Sequence, residues 1–99
     1  QSARSLLERA VAKEPDDSLT LFNLGLVYLQ VDQPEQAVTV LERARSAGAG
    51  DATTTFTLGV AYAAAGQITR AIPVLEEFLQ REPSGERANY ARALLTEIR

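Results

Sequence analysis

The sequence predicts an all-α fold, an α-solenoid of antiparallel helix pairs with about six helices. Three observations carry this reading. NLGLVYLQ at residues 23–30 returns as TLGVAYAA at 57–64, so Leu, Gly and Tyr recur in order 34 positions later. Setting each residue beside the one 34 further on then pairs Phe22 with Phe56, Gln33 with Gln67, Ala37 with Ala71, Leu41 with Leu75 and Glu42 with Glu76, with no slip in register. Within each copy the apolar residues follow helical spacing in two stretches separated by short links.

Each element has its own local reason. Residues 1–14 place Ala3, Leu7, Glu8, Arg9 and Ala10 in register with Ala37, Leu41, Glu42, Arg43 and Ala44, so they read as the closing helix of a preceding copy. Residues 18–51 form the first full copy. Its opening helix, 18–31, is apolar nearly all round through Leu19, Leu21, Phe22, Leu24, Leu26, Val27, Tyr28, Leu29 and Val31, which predicts neighbours on several sides. A strand over LGLVYLQV is the competing reading, but fourteen residues is long for a strand and the flanks resemble helix ends. Asp17 is a suitable N-cap, Pro34 suits the first turn of the second helix and Gly48 its end. That second helix, 35–46, lines up Ala37, Val38, Val40, Leu41 and Ala44 on one stripe, with Glu42 and Arg43 facing water.

Residues 52–85 repeat the plan behind an Asp51 cap, with Pro73 beyond the first turn, where it removes a backbone bond and is expected to distort the helix. Thr53, Thr54 and Thr55 are poor helix formers at a helix start and predict local fraying. Residues 86–99 open a further half copy and are expected to act as a solvating cap. Gly25 and Gly59 stand inside helices, where Gly costs about 0.5–1 kcal/mol relative to Ala, so their shared phase calls for a packing reason. A bare Cα permits close approach of the partner helix. Ala37 and Ala71 are the expected small residues there, with Tyr28 and Tyr62 as the bulk beside the crossing.

Composition narrows the function classes. There is no Cys and no His, which removes disulfides, thiolate metal sites and the usual general base near neutral pH. A net charge of -3 disfavours nucleic acid as a partner. No apolar run reaches the roughly 18–20 residues of a membrane span, and Gln1 opens no signal-peptide pattern. The chain begins without Met in mid-pattern, which is expected of a piece of something longer, and the dominance of Arg over Lys with abundant Ala points to a bacterial source. Glu76 and Glu77 are adjacent on a helix and do not share a face, and the Gly48-Ala49-Gly50 loop lacks the Lys of a phosphate loop. No catalytic residue, metal site or cofactor is therefore expected. Arg4 with Glu8 reads as a helix pair one turn apart, and Glu8, Glu42 and Glu76 as a solvated row.

The phase Leu24, Gly25, Tyr28, Ala37, Leu41, Ala44, followed by Leu58, Gly59, Tyr62, Ala71, Leu75, Pro83, resembles the tetratricopeptide repeat, a helical hairpin of about 34 residues. Departures are Leu21 and Thr55 where the family often has Trp, Phe78 where it has Ala, Ala49 where it has Pro, and Arg92, Ala93 and Thr96 in the last half copy. The resemblance implies a right-handed solenoid whose first helices line a concave groove that holds a peptide or helix of a partner protein. By phase the groove takes Leu19, Phe22, Asn23, Leu26, Leu29 and Gln30, then Thr53, Phe56, Thr57, Val60, Ala63 and Ala64, then Arg87, Tyr90, Ala91 and Leu94.

Phe22, Phe56 and Tyr90 would form an aromatic ladder there, or serve as packing between neighbouring first helices. Leu26, Val60 and Leu94 form an aliphatic row where the family often has Asn, which favours an apolar ligand, while Asn23 remains a candidate for bonding a ligand backbone. The Lys, Asn and Arg set of family members that clamp chaperone C-termini is absent, with only Arg87 at a comparable phase. Two other classes stand beside a partner-binding scaffold. One is a homo-oligomer formed through an open N-terminal helix face of Leu6, Leu7 and Val11; the other is an accessory region of a larger enzyme or secretion machine. The 35-residue helical repeats that read RNA fit worse, because the period is 34 and the groove lacks basic residues.

Overall fold

Two aspartates start the repeated helices where the sequence predicts. In the computed structural model, which describes residues 2–48 and 50–99, the Asp17 carboxylate accepts from the Leu19 and Thr20 amides at 3.1 and 3.4 Å, and Asp51 accepts from the Thr54 amide at 2.9 Å. The Thr54 amide holds the Asp51 carboxyl below its ordinary range. Gln1 and Ala49, including the departure from Pro at 49, lie outside the described residues. The order is α1 (Ala3–Lys13), α2 (Ser18–Gln30), α3 (Pro34–Ser46), α4 (Ala52–Ala64), α5 (Ile68–Arg81) and α6 (Glu86–Ile98). Pro34 is in the first turn of α3, and Gly48 and Gly66 follow α3 and α4 at φ +118° and +77°. Asp32 holds φ 60° after α2, in register with Gly66.

Helices adjacent in sequence pack on one another throughout, and the links are too short for anything but antiparallel neighbours. In addition α2 touches α4 and α4 touches α6, whereas among the described residues α1, α3 and α5 make no backbone approach to one another. A stack drawn tighter on one side curves toward that side, so α2, α4 and α6 line its inner face. This is an all-α solenoid of helix pairs, 38 × 24 × 22 Å.

The close crossing has a different partner from the one expected. A Cβ built on Gly25 would lie 2.6 Å from Leu41 Cγ and Cδ2, and one on Gly59 would lie 2.6 Å from Leu75 Cδ2 and 2.9 Å from its Cγ. Leucine side chains, not Ala37 and Ala71, fill the space above the bare Cα atoms. The two alanines are also fully buried, each one helical turn before its leucine on the same helix.

The tyrosines do more than fill space. Tyr28 donates its hydroxyl to Glu8 at 2.5 Å, and Tyr62 donates to Glu42, each reaching the preceding second helix. Glu8 and Glu76 are exposed and Glu42 half-buried, so the row stays at the surface, but Glu8 and Glu42 are also acceptors that tie one hairpin to the next, and Glu76 is paired with Arg99. Arg4 reaches Gln33 Oε1 at 3.5 Å instead of pairing with Glu8, and Arg43 donates to the Pro15 carbonyl at 2.9 Å.

Three further expectations are corrected. Thr54 and Thr55 are buried and α4 starts at Ala52 without fraying; the Thr55 hydroxyl donates to the Asp51 carbonyl at 2.9 Å and Thr57 to Thr53 at 2.8 Å, one turn back. α5 runs unbroken through Pro73, because Pro73 and Thr69, the residue whose carbonyl loses its donor, are both exposed and water can satisfy that carbonyl. Leu7 and Val11 pack on the core, so the open face of α1 reduces to Leu6, which is 52% exposed. No described helix is long and apolar enough to cross a membrane.

Two outcomes follow from this packing. Gly59→Ala forces the fully buried Leu75 to move, an overpacking cost of roughly 1–3 kcal/mol that exceeds the helix-propensity gain of about 1 kcal/mol, so thermal unfolding by circular dichroism should fall by roughly 5–10 °C. Gly50→Ala, with open space around its Cβ, should not lower it. Burial, the bond to Glu42 and that carboxylate's charge push the Tyr62 phenol from 10.0 up to about 12. A folded-state pKa above the unfolded one stabilises fully below pH 10.0 and loses that contribution as pH climbs toward about 12. Tyr62→Phe should cost about 1 kcal/mol at neutral pH and flatten that alkaline decline in urea unfolding.

Candidate functional site

The inner face is built by three helices of unusual composition. α2 and α4 contain no charged side chain at all, so every ionic group on that face comes from α6 or from the loops. Leu19 is 66% exposed, Leu26 36% and Tyr90 55%, a run of large apolar side chains left in water along one side of a small domain. Phe22, Leu29, Phe56, Val60, Ala63 and Leu94 are half-buried between them, and Asn23, Gln30, Thr53 and Ala64 are exposed. Thr57 and Ala91 are buried, so the phase that assigns them to the groove places them beneath its floor, between helices.

The aromatic row is interrupted. Phe56 meets Tyr90 edge-on, with ring centroids 5.9 Å apart, but its nearer partner is Phe78 of α5 at 4.9 Å. Phe22 joins neither ring and lies with Leu19 in a separate hollow of about 390 Å³, bordered by Ser18, Asp51, Thr53 and Thr54. Phe78 stands where the family has Ala and is fully buried. Its ring supports Phe56 from below, which holds Phe56 at the floor of a cleft of about 420 Å³ lined by Phe56, Val60, Glu86, Arg87 and Tyr90.

Arg87 is held by four residues. It donates to both Glu82 oxygens at 2.9 and 3.1 Å and to Thr53 Oγ1 at 2.9 Å, and its guanidinium lies 5.9 and 5.7 Å from the Phe56 and Phe78 ring centres. Arg87 and the departure at Phe78 therefore belong to one cluster, which sequence phase could not reveal because Glu82, Thr53 and Phe78 are brought to Arg87 only by the folding of α4, α5 and the loop before α6.

The outer face has another character. A hollow of about 490 Å³ there is lined by Asp16, Thr39, Glu42, Arg43, Ser46 and Ala47, of which Glu42 accepts from Tyr62, Arg43 donates to the Pro15 carbonyl and Thr39 to the Glu35 carbonyl. Arg45 spans the gap between α3 and α5 to both oxygens of Glu77 at 2.8 and 3.1 Å. Glu77 and Glu76 are thus held by different arginines. Among the described residues no group of three His, Cys, Asp or Glu side chains could hold a metal ion.

Family models described as tetratricopeptide repeat match residues 1–54 and 56–97. Comparison with curated proteins gives no match. Among solved structures, the second TPR domain of the human RPAP3 protein, in complex with the HSP70 peptide SGPTIEEVD, is 22% identical with a TM-score of 0.80, over 97% of this chain and 78% of that one. MamA MSR-1 is 28% identical with a TM-score of 0.75, covering 96% of this chain and 59% of that one. A MamA RS-1 double mutant is 20% identical with a TM-score of 0.77, covering 97% and 62%. The chain thus spans about three fifths of the MamA chains it resembles. Matched across both halves by the same repeat, it belongs to the tetratricopeptide repeat family, whose helical hairpins are typically non-catalytic modules of protein–protein interaction.

Proposed function

We propose that this chain is a scaffold that holds an apolar helix or peptide segment of a partner protein against α2, α4 and α6. In that reading residues 18–51 and 52–85 are the two repeats that supply the floor, 1–14 closes a preceding repeat and 86–99 caps the stack. The observation that carries it is the pairing of two charge-free inner helices with the exposed Leu19, Leu26 and Tyr90. Apolar side chains so arranged gain roughly 25 cal/mol per Å² when a ligand covers them. A largest anchor of the ligand would enter the cleft over Phe56 and Val60, and Asn23 and Gln30 would meet its polar groups at the other end. The peptide held by the RPAP3 domain supports a peptide-binding role for the fold, though not the chemistry of the ligand.

A second reading rests on Leu6. Val40, at the same register position one copy later, is only 7% exposed, so a second copy could cover Leu6. Sedimentation over a wide concentration range decides it. A dimer that Leu6→Ser dissolves supports self-association, and a monomer throughout removes it.

The groove is tested by titrating the chain with an amphipathic helical peptide carrying Leu at i, i+3, i+4 and i+7 while following backbone amide shifts. Shifts are expected at Leu26, Phe56, Val60 and Tyr90, and Leu26→Ser with Tyr90→Ser should weaken binding by roughly tenfold or more while the helical signal persists. Shifts confined to α3 and α5 would contradict the proposal.

A further inference from the structure

Within the groove reading just proposed, we infer that the Glu86–Tyr90 edge of the cleft receives an Arg or Lys side chain of the partner, so that the ligand is an apolar segment with a cation beside its anchor. The first support is what Arg87 cannot do. It is the cation lining this cleft, and its charge is already matched by both oxygens of Glu82, with Thr53 and two aromatic rings fixing the guanidinium. An acidic ligand would have to compete with Glu82 and Thr53 for the Arg87 guanidinium and would meet the Glu82 and Glu86 carboxylates beside it. Arg87 is a wall of the cleft and not a receptor for anions.

The second support is Glu86. It lines the same cleft, is exposed, and its carboxylate takes part in none of the ion pairs or side-chain hydrogen bonds among the described residues. With Arg87 neutralised, Glu86 sets the sign of the cleft. The third is position. Glu86 and Tyr90 are one helical turn apart on α6 and so share a face, and the Tyr90 ring is steadied edge-on by Phe56 while remaining mostly in water. A carboxylate one turn from an open aromatic face fits a side chain with an apolar stem and a cationic head. The stem lies along the ring and the head meets the carboxylate, combining burial with cation–π and ionic attraction. The chain's net charge of -3 favours approach of a cationic ligand.

The bland role for Glu86 is an acid in the first turn of α6, where Gly85 offers no side-chain cap. That role affects stability and not ligand choice, so the two are separable. Three helical peptides with one Leu stripe, differing only in Lys, Gln or Glu beside the anchor, are titrated into the 99-residue chain at low salt with amide shifts as readout. The Lys peptide should bind roughly three- to tenfold more tightly than the Glu peptide, with Gln between them. Glu86→Gln should bring the ratio close to one, and Glu86→Asp should restore part of it. Equal affinities with groove shifts would overturn the cation preference and leave the apolar groove standing. A Glu peptide that binds best and moves the Arg87 amide would overturn it through release of Glu82. Absence of groove shifts with all three would overturn the groove reading itself and this inference with it.

Discussion

The seat of Leu41 on Gly25, and of Leu75 on Gly59, sets the spacing on which the rest of the structure depends. Each bare Cα lets a buried leucine rest where a methyl group would collide at 2.6 Å, so the two helices of a hairpin approach more closely than ordinary side chains allow. Once that distance is fixed, Ala37 and Ala71 must be small, Tyr28 and Tyr62 have room beside the crossing, and their hydroxyls fall within reach of Glu8 and Glu42 on the preceding hairpin. The same contact thus determines both the packing inside a hairpin and the bond that aligns it with its neighbour. Copying it after 34 residues copies the stacking geometry, which is how a chain with local contacts builds an extended surface.

Curvature gives that surface its two characters. The first helices touch along the inside, so their apolar side chains are only partly covered by one another, while the outside opens and is bridged by long polar pairs such as Arg45–Glu77. Such exposed ion pairs contribute little stability, at most about 1 kcal/mol each. The inner face has no comparable polar cover on α2 and α4. Phe78 then individualises the second repeat. Its ring lies 4.9 Å from Phe56 and offers Arg87 a second aromatic surface at 5.7 Å.

Much of this was legible in the sequence because it is local or periodic. The Asp caps, Pro34, Gly48 and the 34-residue phase each express a backbone requirement within a few residues of itself, and the structure meets them. What escaped is made by side chains reaching across the fold. Propensity marks Thr54 and Thr55 as weak helix formers, yet burial between helices and a bond from Thr55 to the carbonyl one turn back outweigh a preference worth a few tenths of a kcal/mol. Glu8 and Glu42 look like surface acids because periodicity reports which face a residue occupies and not whether a tyrosine 20 positions later arrives there. Phase also assigned Thr57 and Ala91 to the groove, although a position at the margin of the inner stripe is buried wherever neighbouring first helices touch.

The seat itself is tested most directly by a double-mutant cycle on Gly59 and Leu75. Leu75→Ala alone leaves a cavity and should cost about 2–5 kcal/mol; adding Gly59→Ala in that background places a methyl group in the vacated space instead of against a leucine. The penalty of Gly59→Ala should then disappear or reverse, giving a coupling of about 1 kcal/mol or more between the two sites. Costs that add to within about 0.5 kcal/mol would mean that the leucine does not rest on the glycine, and that some other contact spaces the helices.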